Sequence, residues 1–334
     1  MAGFMWSVNE RIPIREFTCH IWFRATRSLV YAKPFSGDNT MKLPKAYATS
    51  VRKRAIDLTL SVNPLGCSPR AVSAVKRMSM SAISAYPDPA ALMESLSKSF
   101  RFGKRGILLG NGSEQLIKLV SQAFLTPGDI AMVEAGSFFL FSKEPALAGG
   151  TVKFFDFTVP VRSKTRPALL FIANPTTPGG INRTNAAICE VIDMINPRVA
   201  VVDEANGEFR DETMISEIQN RKNIIVLRTF SKVFGLAGLR IGMAFGKPKL
   251  IGKMSEFLQP FPVTSVGLAA AAAALADTQF VERTKRFVSA ERAMLTRELA
   301  ARGFTVSPSI TNNLFIARND SARIIRELAR RNVS

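Results

Sequence analysis

Two short apolar runs, Val199-Ala200-Val201-Val202 and Ile224-Ile225-Val226-Leu227, constrain this chain more than any other feature. A strand with one face on the core alternates apolar and polar residues, and these runs do not alternate. Near-continuous runs mark strands covered on both faces, hence a mostly parallel sheet with helices on each side. Ile130–Val133, Val152–Phe155 and Ala168–Ile172 read as further strands, and Ile56–Leu60 as a short one. Ser68-Pro69 opens a helix with proline at its first position. An amphipathic helix is expected from Gly112 to about Phe124, a buried one over Val266–Ala276, and a long one over Gln279–Ala301. Short strands at Phe304–Val306 and Leu314–Ile316 and a helix over Ser321–Arg331 predict a smaller α+β C-terminal domain.

Chemistry gathers just beyond the ends of these strands. Lys232 follows the run Ile224–Leu227, in Arg228-Thr229-Phe230-Ser231-Lys232, and Arg240 stands eight positions on between Gly238 and Gly242. A lysine amine there can form a Schiff base with a phosphorylated aldehyde, while Thr229, Ser231 and Arg240 grip its phosphate. Asp203 ends the other buried run. A carboxylate there is costly without a cationic partner, which a protonated pyridine nitrogen would supply. A strand-end acid that caps a loop or pairs with a lysine is the alternative.

Three other segments are weaker alone. Gly110-Asn111-Gly112-Ser113-Glu114 opens a helix after a strand, where free N–H groups and the helix dipole suit a phosphate. A plain helix start capped by Ser113 would look the same. Asn174-Pro175-Thr176-Thr177-Pro178-Gly179-Gly180 fixes a tight backbone at the carboxyl end of a strand, where open α/β sheets bind ligands. It could equally be an ordinary strand-to-helix turn. Phe138 could stack on a planar ring or belong to the core.

The order and placement of these segments resemble the fold-type I pyridoxal-phosphate enzymes, specifically the class I and II aminotransferases. The likeness is to histidinol-phosphate aminotransferases and threonine-phosphate decarboxylase. It runs from about Ala55 to the C-terminus and rests on Ser231-Lys232 with Arg240, Asp203-Glu204-Ala205, and Asn174-Pro175-Thr176. It implies pyridoxal phosphate as cofactor, and an amino group transferred between a small amino acid, phosphorylated or not, and a 2-oxo acid. Lys232 would carry the Schiff base and move the substrate Cα proton. Asp203 would pair with the ring nitrogen, Asn174 would bond the ring hydroxyl, and Phe138 would stack on the ring. Gly112, Ser113, Thr229, Ser231 and Arg240 would hold the phosphate. Tyr86, in Tyr86-Pro87-Asp88-Pro89, would reach the phosphate of a partner subunit, implying a homodimer with shared active sites. Asn63 and Asn312 would face the substrate. The implied organisation is an atypical basic extension over 1–54, a segment 55–85 against the small domain, a large cofactor domain over 86–262, and a small domain over 263–334.

Two departures qualify this. Asn206 stands where the family usually has tyrosine beside the ring oxygen, predicting a shifted Schiff-base pKa or a slower enzyme. The family also continues, after the last helix, to a strand and an arginine that grips the substrate carboxylate, whereas this sequence stops at Ser334. The small domain is therefore expected to be abbreviated. A threonine-phosphate decarboxylase-like lyase and a degenerate cofactor-binding paralogue with a non-enzymatic role are the alternative functions.

Composition removes several classes. The only histidine is His20, so a histidine-based triad is disfavoured. Cys19, Cys67 and Cys189 form no CxxC, which argues for reduced thiols, a cytoplasmic setting and no metal site. The formal charge of +19 is scattered, without the basic stripe of a nucleic-acid binder. No apolar run reaches the roughly 20 residues of a membrane helix.

Overall fold

Seven strands form one sheet in the spatial order Ile107–Asn111, Ile241–Gly246, Ile224–Thr229, Val199–Asp203, Leu169–Ala173, Ile130–Glu134 and Thr151–Phe155. The computed structural model describes residues 20–24, 56, 58, 60–159 and 165–333; most of the basic extension 1–54 lies outside them. The elements in chain order are β1 (His20–Arg24), α1 (Pro69–Lys76), α2 (Met80–Ser84), α3 (Ala90–Phe100), β2 (Ile107–Asn111), α4 (Gly112–Phe124), β3 (Ile130–Glu134), α5 (Leu140–Leu147), β4 (Thr151–Phe155), β5 (Leu169–Ala173) and α6 (Asn185–Ile195). There follow β6 (Val199–Asp203), β7 (Ile224–Thr229), β8 (Ile241–Gly246), α7 (Pro248–Ser255), α8 (Ser265–Leu275), α9 (Thr278–Ala301), β9 (Asn313–Ala317) and α10 (Ser321–Arg330).

The two apolar runs are the middle of the sheet. Every residue of β5, β6, β7 and β8 is buried. Alternate residues serve opposite faces. Leu170, Ile172, Ala200, Val202, Ile224 and Val226 join the core shared with α3, α6 and α8. Leu169, Phe171, Val199, Val201, Ile225 and Leu227 join the core shared with α4, α5 and α7. Each Val, Leu, Ile or Phe among them contributes about 1.5–3 kcal/mol by leaving water, which is why no polar alternation survives.

One strand departs from the parallel pattern. β8 is antiparallel to both β7 and β2, and the sequence reading did not anticipate it as a strand. Because β8 reverses twice, β2 regains the direction of β7. The carboxyl ends of β2, β3, β5, β6 and β7, and the start of β8, therefore lie along one edge.

The C-terminal portion differs in detail from expectation. Ile56 bridges Val333, and the rest of the expected strand Ile56–Leu60 lies partly outside the described residues. Phe304–Val306 reduces to a bridge between Val306 and Ile316, too few backbone pairs for a strand. β9 gains a parallel neighbour in β1, from the N-terminal extension. Helix α1 carries Ser68 as its N-cap, accepting from the N–H groups of Arg70 and Ala71. Among the described residues no helix is long and apolar enough to cross a membrane.

Candidate active site

The strand edge gathers the residues that the sequence singled out. Asp203 is the last residue of β6, and its backbone carbonyl accepts from Asn174 N at 2.9 Å, just past the end of β5. Lys232 lies three residues beyond β7, and Arg240 immediately precedes β8. Asn111, the last residue of β2, pairs with Ile241. Phe138 follows the turn after β3 and makes edge contacts with Phe139 and Phe141, 5.0 and 5.8 Å between centroids.

Burial sets the electrostatics. The Asp203 carboxyl is pushed up to about 7, chiefly by burial and further by Glu204; the Ala205 N–H and Lys232 oppose this. The Lys232 amine is pushed down to about 8, again chiefly by burial, with Arg240 adding to the shift and Glu114 and Asp203 resisting it. A carboxyl and an amine both displaced toward neutrality at one strand edge mark a candidate functional site. Nζ of Lys232 donates to the carbonyls of Leu60 and Ser61, at 3.3 and 3.5 Å. Those carbonyls belong to a strap tied to the C-terminal portion: Ser61 Oγ donates to Asn313, and Asn312 Nδ2 donates to the Ser61 carbonyl.

A compact cradle forms where α4 begins. The N-cap Asn111 has no side-chain cap bond, and Ser113 lies inside the first turn rather than capping it. Gly112 has φ +74°, and a Cβ on it would lie 2.7 Å from Nη2 of Arg240. A Cβ on Gly242 would lie 2.4 Å from Gly112 C and 2.5 Å from Ser113 N. Only glycine allows this approach, which brings helix N–H groups and a guanidinium to one point. Thr229 Oγ1 donates to Ser231 Oγ at 2.9 Å beneath it, and both residues are buried. Uncapped N–H groups, two hydroxyls and an arginine suit a phosphate; a lysine and an acid at the neighbouring strand ends suit a pyridine aldehyde. These residues fit pyridoxal phosphate.

The other expected residues are placed unequally. Asn174 is fully buried, with Oδ1 accepting from Arg183 N at 3.0 Å and Nδ2 donating to Arg183 O at 2.9 Å. One Nδ2 hydrogen remains for a ligand. Asn206 and Asn312 are also buried, and the Oδ1 atom of each has no protein partner. Asn63 uses Nδ2 on the Val233 carbonyl and Thr284, and Oδ1 on Leu65 N, so it joins the strap to the large core. Tyr86 is 81% exposed and stacks on Phe261 at 4.5 Å.

Sequence reasoning missed the buried charges under the site. Glu204 Oε1 accepts from Arg210 and from Met214 N, and Oε2 accepts from Thr213 and Arg228. Arg228 also bonds Glu208 at 2.8 Å. A signal existed in Glu204 and Arg228, each beside an apolar run, but its partners could not be read from spacing. No group of residues able to hold a metal occurs among those described.

Comparison with known proteins agrees with this geometry. The family model for aminotransferase class I and II matches residues 53–333. The histidinol-phosphate aminotransferase of Methylobacillus flagellatus is 34% identical over 295 residues, covering 83% of this chain and 79% of that protein. The crystal structure of histidinol-phosphate aminotransferase from Sinorhizobium meliloti in complex with pyridoxal-5'-phosphate superposes with a TM-score of 0.67, at 24% identity, over 75% of this chain and 72% of that one. L-threonine-O-3-phosphate decarboxylase from Porphyromonas gingivalis gives 0.64, at 22% identity, over 74% and 77%. At such identities the two structures establish the shared fold. The family match and the sequence relative go further: this chain belongs to the class I and II aminotransferases, which work with pyridoxal phosphate on amino acids and 2-oxo acids.

Proposed function

We propose that this aminotransferase takes a phosphorylated amino compound of the histidinol phosphate type as amino donor and a 2-oxo acid as acceptor. The observation that carries the reading is the placement of Lys232, its amine pushed down to about 8, on the same strand edge as Asp203 and the Gly112–Arg240 cradle. The relative at 34% identity supports the choice of substrate class.

The parts divide as follows. Gly112 and Ser113 through backbone N–H, with Thr229, Ser231 and Arg240, hold the cofactor phosphate. The Asp203 carboxylate pairs with the ring nitrogen, a cation that offsets the cost of its burial. Asn174 gives its remaining N–H to the ring oxygen, and Phe138 covers one ring face. When bound, pyridoxal phosphate supplies an electron-withdrawing ring that stabilises negative charge at the substrate Cα. A pKa near 8 leaves roughly a tenth of the Lys232 amine neutral at pH 7, against less than about a thousandth for an ordinary lysine, so Nζ can accept the Cα proton, hold it and return it two atoms along. The Leu60 and Ser61 carbonyls orient Nζ between transfers. Asn206 is too short to replace a tyrosine at the ring oxygen, and weaker tuning of Lys232 follows. Asn312, with a buried acceptor oxygen, faces the substrate side with the strap; the Asn63 side chain anchors that strap.

The working form is a homodimer in a reducing compartment such as the cytoplasm. Exposed Tyr86, stacked on half-exposed Phe261, gives an apolar surface from which Tyr86 can reach a partner's phosphate. Cys67 and Cys189 are free thiols. Sedimentation should give a dimer, and Tyr86→Ala should loosen both dimer and cofactor.

Purified protein with pyridoxal phosphate should develop the visible band of lysine-bound cofactor, and Lys232→Ala should abolish it while keeping the fold. In single turnover, histidinol phosphate should bleach that band faster than unphosphorylated histidinol or threonine phosphate. A colourless wild type, or equal rates with and without the phosphate, rejects the proposal.

A further inference from the structure

The geometry points to Arg183 as a positioning residue for Asn174, acting through a buried ion pair with Glu134. The inference rests on the proposed cofactor reading for the ligand that Asn174 meets, and on the protein alone for the clamp.

Arg183 closes the loop that starts at Asn174. Its backbone N–H and carbonyl both bind the Asn174 amide, at 3.0 and 2.9 Å. This pairing removes the usual twofold ambiguity of a buried amide: Oδ1 must face the N–H and Nδ2 must face the carbonyl. The Asn174 group left over is therefore a donor, suited to a ligand oxygen. The clamp works only if the Arg183 backbone stays in place, and loop 174–183 has little apolar material to hold it there.

The Arg183 side chain supplies that hold. Its Nη2 lies 2.5 Å from Oε1 of Glu134, the last residue of β3. Its guanidinium carbon sits 3.6 Å from the centroid of the Phe157 ring. The Arg183 and Glu134 side chains are 14% and 9% exposed. Arg183 is thus fixed to β3 by its side chain and to the end of β5 by its backbone. A second cation shares the task, since Arg210 Nη2 donates to the same Arg183 carbonyl at 3.0 Å while Nη1 pairs with buried Glu204. The carbonyl that orients Asn174 consequently accepts two donors, and displacement of Arg183 breaks both.

A bare structural role predicts lost stability and nothing else. A positioning role also predicts a changed ligand environment at Asn174, and only through Asn174. The test uses the full-length protein with Arg183→Met, Glu134→Gln, Asn174→Ala and Arg183→Met/Asn174→Ala. In the cofactor-free protein, hydrogen exchange of the residue-183 amide should quicken at least about tenfold in Arg183→Met, the loss expected for about 1.4 kcal/mol, while β5 amides keep their rates. In the loaded protein, losing a donor to the ring oxygen leaves that oxygen a better acceptor for the neighbouring protonated nitrogen. The pH midpoint of the visible band should therefore rise by about half a unit or more in Arg183→Met, less in Glu134→Gln, with weaker cofactor binding in both. In the Asn174→Ala background the Arg183 change should add no further shift. Unchanged exchange and midpoint in both single variants overturn the inference, as does a full Arg183 shift persisting without Asn174. If Arg183→Met does not fold, Glu134→Gln, which keeps shape and an acceptor, decides on the same readouts. If wild type binds no pyridoxal phosphate, the cofactor reading fails, and the exchange measurement alone decides the clamp.

Discussion

Arg240 Nη2 donates to Oε2 of Glu114 at 2.9 Å, joining the residue that precedes β8 to the first turn of α4. The same nitrogen is the one that a Cβ on Gly112 would strike. An acid therefore lies against the cation that would bind phosphate, and the two anions compete. Glu114 is also the charge that most favours the protonated form of Lys232. Glu114→Gln should tighten pyridoxal phosphate about 1.4–5-fold, the range expected when a partly exposed ion pair no longer has to be broken. The Lys232 amine should also fall further below about 8. Equilibrium binding and a pH titration of lysine modification measure both; weaker binding would mean that Glu114 assists the phosphate.

Gly242→Ala is a sharper probe of the cradle. The added carbon would lie 2.4–2.5 Å from backbone atoms of Gly112 and Ser113, which cannot swing aside as a side chain can. Either β8 shifts or the phosphate turn does. Overpacking of this kind costs about 1–3 kcal/mol, so the cofactor-free variant should melt lower. Cofactor affinity should drop by more than stability accounts for, because the displaced N–H groups are the proposed ligands. A variant with lower melting temperature but wild-type affinity would separate the cradle from phosphate binding.

Asp203 makes stability depend on pH. Its carboxyl is raised from the unfolded value, near 4, to about 7. Between those limits the folded protein binds more protons, so this group's favourable contribution is present at low pH and is lost as pH rises through 7. Asp203→Asn cannot ionise. Without cofactor it should match wild type near pH 4 and exceed it at pH 7.5 by about 1–4 kcal/mol, the lower figure allowing for the lost attraction to Lys232. Denaturant titrations at the two pH values test this. With pyridoxal phosphate present the order should reverse, since only the carboxylate can pair with a ring cation.

The sheet was readable because burial on both faces leaves a local mark: Val199–Val202 and Ile224–Leu227 carry no polar residue at all. β8 was not, since Gly242 and Gly246 interrupt its run and nothing local signals its direction. The proposed ligand-facing residues are readable as types at strand ends, where Lys232, Asp203 and Asn174 lie. Their supports were not. The Glu134–Arg183 and Glu204–Arg228 pairs join residues 49 and 24 positions apart, set by strand order rather than by spacing. The Asn63 bonds to Val233 and Thr284 are equally illegible in the sequence, because they exist only after folding.

Glu204 is the support whose removal should cost most. Its side chain is wholly buried, with Arg210 at 1% and Arg228 at 6% exposure. Four donors converge on its two oxygens, at 2.6–3.2 Å. Glu204→Ala would strand Arg210 without an internal carboxylate and leave Arg228 only Glu208. Breaking a buried pair from one side costs about 3–5 kcal/mol, most of it from the cation left behind. Glu204→Gln keeps the shape but turns an NH2 group toward a guanidinium or a backbone N–H, for about 1–3 kcal/mol. Glu204 also raises the Asp203 carboxyl, so both variants should bring that group below about 7. The pH-dependent gap between wild type and Asp203→Asn should then narrow in a Glu204→Gln background. Chemical denaturation at pH 4 and 7.5 reads both effects, and an undiminished gap would mean that burial alone sets the Asp203 carboxyl.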